Sequence, residues 1–291
     1  MRLDAAVLNY CPGSTRAFVR EAIAAGEITL NGKRAVKGAK LYGGETIAIS
    51  ELLEEKDNLP LPSGTAPEPI YEDEFLIAFD KPPGIAVQPL SSDETGTLMN
   101  RVITRYPECR TLGDRPLMAG AIHRIDADTS GLVLVARSES SFDSLRRQFA
   151  EQSVVKTYLA LVEGEVDSNG KIEGDLIHDP NSPACRMVDF DRWSTRYRPS
   201  GKIRKFHALT EYVPLASTKV ECETRTLLKV TIRTGVTHQI RAQFAHAGHP
   251  LLGDGKYGKL NKNFDRTYQA LYSYKLTFCF TTDAGSLDYL N

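Results

Sequence analysis

The sequence predicts an α+β protein in two unequal parts, a small helix–helix–hairpin body and a larger one built on a mostly antiparallel, mixed sheet. Three observations predict this. Apolar runs of strand length far outnumber helical periods along the 291 residues. Most neighbouring strands are separated by turns rather than by helices, which argues against βαβ winding. Residues 51–68 (ELLEEKDNLPLPSGTAPE) are Pro- and acid-rich without a sustained apolar period, and so read as a linker between 1–50 and 69–291.

Taken in order, Leu3, Val7 and Leu8 mark a short first helix. Ser14 can cap a second helix running to residue 25, with Phe18, Ala22 and Ile23 on one face and Gly26 as its stop. Ile28-Thr29-Leu30 runs into Asn31-Gly32, the preferred pair for a type I′ hairpin turn, with Lys33-Arg34 just beyond. Gly43-Gly44 makes another turn before a strand over 45–49.

The larger part begins near Pro69. A strand over 76–79 leads through Asp80-Lys81-Pro82-Pro83-Gly84 into a second strand over 85–87, and 97–106 reads as helix. His123-Arg124-Ile125-Asp126-Ala127-Asp128-Thr129-Ser130-Gly131 is a polar loop followed at once by Leu132-Val133-Leu134-Val135-Ala136, the pattern of a strand buried on both faces. Ser138 or Ser140 caps a helix that buries Phe142, Leu145 and Phe149. A long strand follows over 154–162, 167–205 reads as irregular loop, and two strands lie over 206–214 and 222–234. Thr234-Gly235-Val236-Thr237-His238-Gln239-Ile240-Arg241 opens a helix with Ile240 and Phe244 inward and Gly248 at its end; strands near 271–281 close the chain.

Composition excludes several classes. Hydrophobic residues at 41% and charged residues at 25% describe an ordinary globular protein. No apolar run approaches the ~18 residues of a membrane span, and the first residues lack a secretory pattern. Five scattered cysteines, with no C-x-x-C pair, point to reduced thiols, a cytoplasmic location and no zinc site. The net charge of −1 hides a partition. Residues 1–50 carry seven Lys/Arg against four Asp/Glu, residues 51–80 carry one against nine, and the remainder carries 28 against 24. Two basic flanks permit a polyanionic partner.

Several chemistries compete for the polar loop. Asp126-x-Asp128-x-Ser130-Gly131 imitates an EF-hand start, but the twelfth position, which needs Glu, is Arg137. His246-x-x-His249 has no acid at ligand spacing, so no metal is expected. A Ser130–His123–Asp126 triad lacks the G-x-S-x-G elbow and crowds its members into one loop. A loop fixed by a buried strand remains the natural place for a reactive Asp126.

Arg2-Leu3-Asp4, Ser14-Thr15-Arg16 and Gly26-Glu27-Ile28-Thr29-Leu30-Asn31-Gly32-Lys33 closely resemble the small RNA-binding domain named after small-subunit ribosomal protein four. That resemblance implies that Arg16, Arg20, Lys33 and Arg34 grip structured RNA. Further on, Lys81-Pro82-Pro83-Gly84, the Asp126 loop, Lys156-Thr157-Tyr158, Thr237-His238-Gln239-Ile240-Arg241 and Gly248-His249-Pro250-Leu251-Leu252-Gly253-Asp254 with Tyr257 resemble the motifs of the RluA family of RNA pseudouridine synthases. The resemblance covers about 70–280. It implies a central active-site cleft in which uracil leaves carbon one of its ribose, turns and rejoins through carbon five, without cofactor or metal.

Carried over residue by residue, the resemblance makes Asp126 the essential carboxylate, a nucleophile toward sugar or base that must be deprotonated. Arg241 pairs with it, and Tyr158 packs on the target base and can move a proton. Arg124 fills the gap left when the uridine swings out. His123, Thr129, His238 and Gln239 line the RNA-facing rim. Departures are Ile125 for Leu, Val236 for the Arg before Thr-His, and Tyr272-Ser273 where His-Ala is frequent; these bear on substrate choice. The pairing with an RNA-binding domain favours ribosomal RNA, of the large subunit, over transfer RNA, and a monomer is expected. The rival reading is a catalytically silent RNA-binding assembly factor, which would not need Asp126, Tyr158 and Arg241 together.

Overall fold

Asn31 (φ 52°) and Gly32 (φ 72°) both adopt the left-handed conformation that a type I′ turn requires. Strand β1 (Ile28–Leu30) therefore folds back on β2 (Lys33–Arg34) with Leu30 opposite Lys33, and β3 (Ile47–Ile49) pairs on its other side. Ahead of them run α1 (Leu3–Tyr10) and α2 (Arg16–Ala25); Gly26, at φ 87°, stops α2 by turning its N–H onto the Ala22 and Ile23 carbonyls. Leu3, Val7, Val19, Ile23 and Ile28 form a core of their own between the helices and this small sheet. The computed structural model describes residues 1–11, 16–36, 38–49, 59–180, 182, 186–195, 203–220, 223–258, 268–280 and 285–290. The expected cap Ser14 and connector residues 50–58 lie outside the described residues.

The larger part is a nine-stranded sheet. Its strands are β4 (Pro69–Glu72), β5 (Leu76–Lys81), β6 (Ser130–Ala136), β7 (Val155–Glu163), β8 (Gly170–His178), β9 (Met187–Asp189), β10 (Phe206–Val220), β11 (Glu223–Ile232) and β12 (Leu271–Thr277). They stand in the order β4-β5-β6-β12-β7-β11-β10-β8-β9. Every neighbouring pair is antiparallel except β6 and β12, where Gly131 faces Ser273. This is the mixed, mostly antiparallel sheet that the sequence predicts.

Both faces of the middle strands are covered. Helix α3 (Leu98–Arg105) and helix α6 (Gln239–His246) bury Leu98, Val102, Ile240 and Phe244 with Phe79, Val133 and Tyr158 on one side. On the other, α4 (Glu139–Ala150) packs Phe142 and Leu145 against Leu76, Leu134 and Phe278. Thr97 and Ser138 cap α3 and α4 through capping boxes, so Ser138 rather than Ser140 is the cap. With apolar residues on both sides, β6 cannot slide, and the loop that feeds it is held in place.

Two expectations fail. Residues 85–87 form no strand, because their carbonyls are committed elsewhere: Ile85 to Lys81 Nζ, Ala86 to the Leu98 N–H and Val87 to the Met99 N–H at the start of α3. The stretch 167–205, expected to be irregular, contains β8, β9 and α5 (Phe190–Ser194). Gly170, Gly174 and four charged side chains conceal β8 in the sequence, while pairing of Ile172 and Leu176 with β10 creates it.

Candidate active site

Backbone bonds set the central loop before any side chain acts. The Asp126 carbonyl accepts from the Thr129 N–H at 3.0 Å, and the Ala127 carbonyl accepts from the Gly84 N–H at 3.0 Å and from Lys81 Nζ at 2.7 Å. Lys81 is fully buried and spends all three ammonium donors on backbone carbonyls, those of Pro82, Ile85 and Ala127. Burial lowers its pKa to about 8, against the pull of Asp128 and Asp126. The Lys-Pro-Pro-Gly turn thus clamps the Asp126 loop from behind.

At the exit of the loop, Gly131 (φ 107°) passes so close to β12 that a Cβ there would stand 2.4 Å from the Ser273 carbonyl oxygen. Thr129 Oγ1 accepts from Gln269 Nε2 at 3.1 Å on the same side. Sheet and loop are therefore one rigid unit.

Arg241, at the start of α6, joins two carboxylates. Its Nη1 donates to Asp126 Oδ2 at 2.7 Å, while Nε and Nη2 donate to Asp254 Oδ2 and Oδ1 at 2.7 and 2.9 Å. Asp254 is wholly buried and also accepts the Lys256 and Tyr257 N–H groups. Those bonds hold its pKa down despite burial, and both carboxylates hold Arg241 cationic against burial. Asp126 Oδ1 has no hydrogen-bond partner among the described residues, so one carboxylate oxygen is left open.

The open oxygen looks into a cavity of about 540 Å³ whose lining includes Tyr158, His238 and Arg124. Tyr158 is 8% exposed, and burial, with Asp126 nearby, raises its pKa far above the ordinary phenol range. It is a neutral ring and an O–H donor. Arg124 is exposed at the mouth with no partner among the described residues. His238, in the left-handed region at φ 54°, has Nε2 3.8 Å from Asp126 Oδ2 and Nδ1 2.9 Å from the Tyr257 hydroxyl. That hydroxyl accepts the Met187 N–H at 2.7 Å, so its own proton goes to Nδ1 and the neutral imidazole carries hydrogen on Nε2, facing Asp126. Burial lowers the His238 pKa and Asp126 opposes it.

Three residues expected at the RNA-facing rim turn inward instead. Thr129 is 2% exposed and Gln239 is 3% exposed. Gln239 accepts from the Thr234 hydroxyl and the Val236 N–H and donates to the Leu209 carbonyl and Thr210 hydroxyl, so its amide is fully used. His123, half-buried, accepts the Leu134 N–H at 3.2 Å and stacks on Phe149 at 4.9 Å. Of the four expected RNA-gripping cations, Arg20, Lys33 and Arg34 are exposed, though the Arg34 guanidinium folds back onto the Ala24 carbonyl; the Arg16 side chain lies outside the described residues.

Sequence reasoning assigned no role to Lys81, Asp254 or Tyr257, although all three stand inside quoted motifs; nothing in the sequence says that Asp254 meets Arg241. Among the described residues, no group of three or more His, Cys, Asp or Glu could hold a metal ion. No described helix is long and apolar enough to cross a membrane.

Comparison with known proteins agrees with this geometry. Residues 75–246 match the RNA pseudouridylate synthase family, and residues 1–47 match the S4 domain. Over 287 residues the chain is 31% identical to ribosomal large subunit pseudouridine synthase D of Neisseria meningitidis serogroup B, covering 95% of this chain and 71% of that one. Over 266 residues it is 34% identical to an uncharacterized RNA pseudouridine synthase of Aquifex aeolicus, covering 88% and 77%. The solved structure of human RNA pseudouridylate synthase domain containing 1 shares the fold at a TM-score of 0.58 and 22% identity, over 78% of this chain and 81% of that one.

Proposed function

The chain belongs to the RNA pseudouridylate synthase family and carries an N-terminal S4 domain; from that premise we propose that it isomerises uridines of large-subunit ribosomal RNA, with Asp126 as nucleophile and no metal or cofactor. The substrate assignment is supported by the Neisseria relative, named for the ribosomal large subunit, and by the N-terminal RNA-binding domain. Such a substrate goes with a cytoplasmic location.

The observation that carries the chemistry is the Asp126–Arg241–Asp254 chain, in which the outer carboxylate keeps one oxygen free at the cavity. In the reaction the bond from ribose carbon one to uracil nitrogen one breaks, the uracil turns, and a bond from carbon one to carbon five forms. The carbon-five proton leaves to solvent and nitrogen one ends protonated. Asp126 Oδ1 makes and later releases the covalent link, while Arg241 holds Oδ2 and so fixes the angle of attack. Tyr158 lies under the base as a protonated ring. Arg124, free at the mouth, occupies the gap that the flipped uridine leaves.

The test is tritium release from RNA labelled at uridine carbon five. Asp126→Asn should reduce release by at least about 10⁴-fold while RNA binding and folding persist. Turnover within about tenfold of wild type would remove Asp126 from the mechanism. A wild-type protein that binds RNA and releases no tritium from any ribosomal fragment would favour the silent assembly factor.

A further inference from the structure

Two lysines are buried in the larger part, and they are treated differently. Lys81 has all three donors bonded to backbone carbonyls. Lys156 is 7% exposed, and among the described residues its Nζ has one hydrogen bond, to the Arg233 carbonyl at 2.7 Å. The Phe149 ring lies 5.6 Å to one side and no carboxylate pairs with it. Two N–H donors are therefore unspent, in a side chain that lines the Asp126 cavity. At the neighbouring Gly235 a Cβ would stand 3.5 Å from Nζ, so the absence of a side chain there leaves the ammonium uncovered.

The surroundings select the charge of what fills the space. The cavity lining includes the cations Arg115, Arg124, Arg146, Lys156, Arg233 and Arg241, and Asp126 is its one acid. Arg241 is spent on Asp126 and Asp254, and Arg146 has Asp114 3.7 Å away, whereas Arg233 is exposed. A second cavity, on the other side of Asp126, mixes Glu94 and Asp128 with Arg186 and Lys256. An anion belongs on the Lys156 side.

Geometry also sets its distance. Lys156 and Tyr158 alternate onto the same face of β7, one residue between them, about 7 Å along the strand. With a base against Tyr158, that separation brings the phosphate of the same nucleotide to the ammonium.

We propose that Lys156, uncovered by Gly235 and flanked by Arg233, is a built phosphate subsite that binds a phosphodiester next to the target uridine. The inference rests on the reading of the Asp126 cavity as the uridine pocket. Burial lowers the Lys156 pKa to about 8, and an anion seated on it would restore it upward. The lysine therefore binds hardest where the charge is otherwise least welcome, which makes the contact a register pin for the flipped nucleotide rather than one more surface attraction.

The experiment replaces single phosphates of a short substrate RNA by neutral methylphosphonate, one linkage at a time, with wild type, Lys156→Met and Lys156→Arg. In wild type one linkage adjoining the target uridine should stand out, its neutralisation lowering kcat/KM about tenfold, and Lys156→Met should lose about the same on unmodified RNA. In Lys156→Met that linkage should have no further effect, and the slope of log affinity against log salt should fall by about 0.7. Lys156→Arg should recover part of the loss. Met removes a buried charge that has no carboxylate partner, so folding should persist, and thermal melting checks it.

Losses that add at every linkage, or a Lys156→Met protein equal to wild type, would overturn the subsite and leave water as the partner of Nζ. Affinities measured in the Asp126→Asn background keep this result separate from the catalytic reading. A protein that never releases tritium can still show, or fail to show, the coupling between Lys156 and one phosphate.

Discussion

His123 stands three residues before the reactive aspartate, where a cation would be convenient, yet its surroundings keep it neutral. Burial, then the charges of Lys156 and Arg146, lower its pKa from 6.5 to about 3. Its Nε2 must stay unprotonated to accept the Leu134 N–H. The sign follows from proton counting: between pH 6.5 and 3 the unfolded chain binds a proton at this position that the folded chain refuses. Stability is therefore full above the unfolded value and falls as pH drops below it. Between pH 7 and pH 5 the wild type should lose about 2 kcal/mol more than His123→Gln, whose amide oxygen can accept the same N–H and does not titrate. Urea denaturation at the two pH values measures the difference, and equal losses in the two proteins would mean that His123 is protonated in the fold.

At the scale of elements, the decisive contact is the parallel crossing of β6 and β12. Gly131→Ala brings a Cβ to 2.4 Å from the Ser273 oxygen and 2.7 Å from its nitrogen, at a φ of 107° that a side chain already resists. Backbone cannot swing aside as a side-chain tip can, so the strands must part, and a loss of more than about 3 kcal/mol is expected. Gly96→Ala, at φ 86° with nothing within 4 Å, should cost only about 1 kcal/mol. Denaturant midpoints of the two variants test the contrast, and tritium release from Gly131→Ala would show whether the Asp126 loop still holds.

What was legible at this scale were the elements whose signal is local. The Asn31-Gly32 turn, the capping boxes of α3 and α4 and the apolar run of β6 appear as expected. β8 was hidden because only its partner β10 makes its polar alternation a strand, and 85–87 misled because its carbonyls serve Lys81 and α3. The site divides in the same way. Asp126 and Arg241 were found, and they meet at 2.7 Å. The long-range partners Asp254 and Gln269 were not found, and Thr129 and Gln239 were assigned to RNA although their bonds go to the protein.

For the whole molecule the question is where the RNA-gripping part ends and the catalytic part begins. The N-terminal residues bury a core of their own, and the chemistry lies beyond residue 75. The connector expected over 51–68 does not stay free along its whole length, since its second half lies on the larger part. The Pro60 carbonyl accepts from Arg110 Nε at 3.1 Å, the Leu61 carbonyl from Asn100 Nδ2 at 2.7 Å, and the Ser63 N–H donates to the Asn100 carbonyl at 2.9 Å. We therefore propose residue 59, rather than one near Pro67, as the start of the catalytic unit.

A fragment from Leu59 should fold and keep Asp126-dependent tritium release on a small RNA. It should bind that RNA more weakly by about 1–3 kcal/mol and with a shallower salt slope, because phosphate contacts of the N-terminal cations are gone. A fragment from Pro67 should share those RNA properties and in addition be less stable by about 1–3 kcal/mol, since buried Asn100 loses its Leu61 partner. Salt titrations of affinity and urea midpoints for the two fragments and the full chain separate the effects. Equal stability of the fragments would return the boundary to Pro67, and equal salt slopes for fragment and full chain would show that the first 50 residues do not hold this RNA.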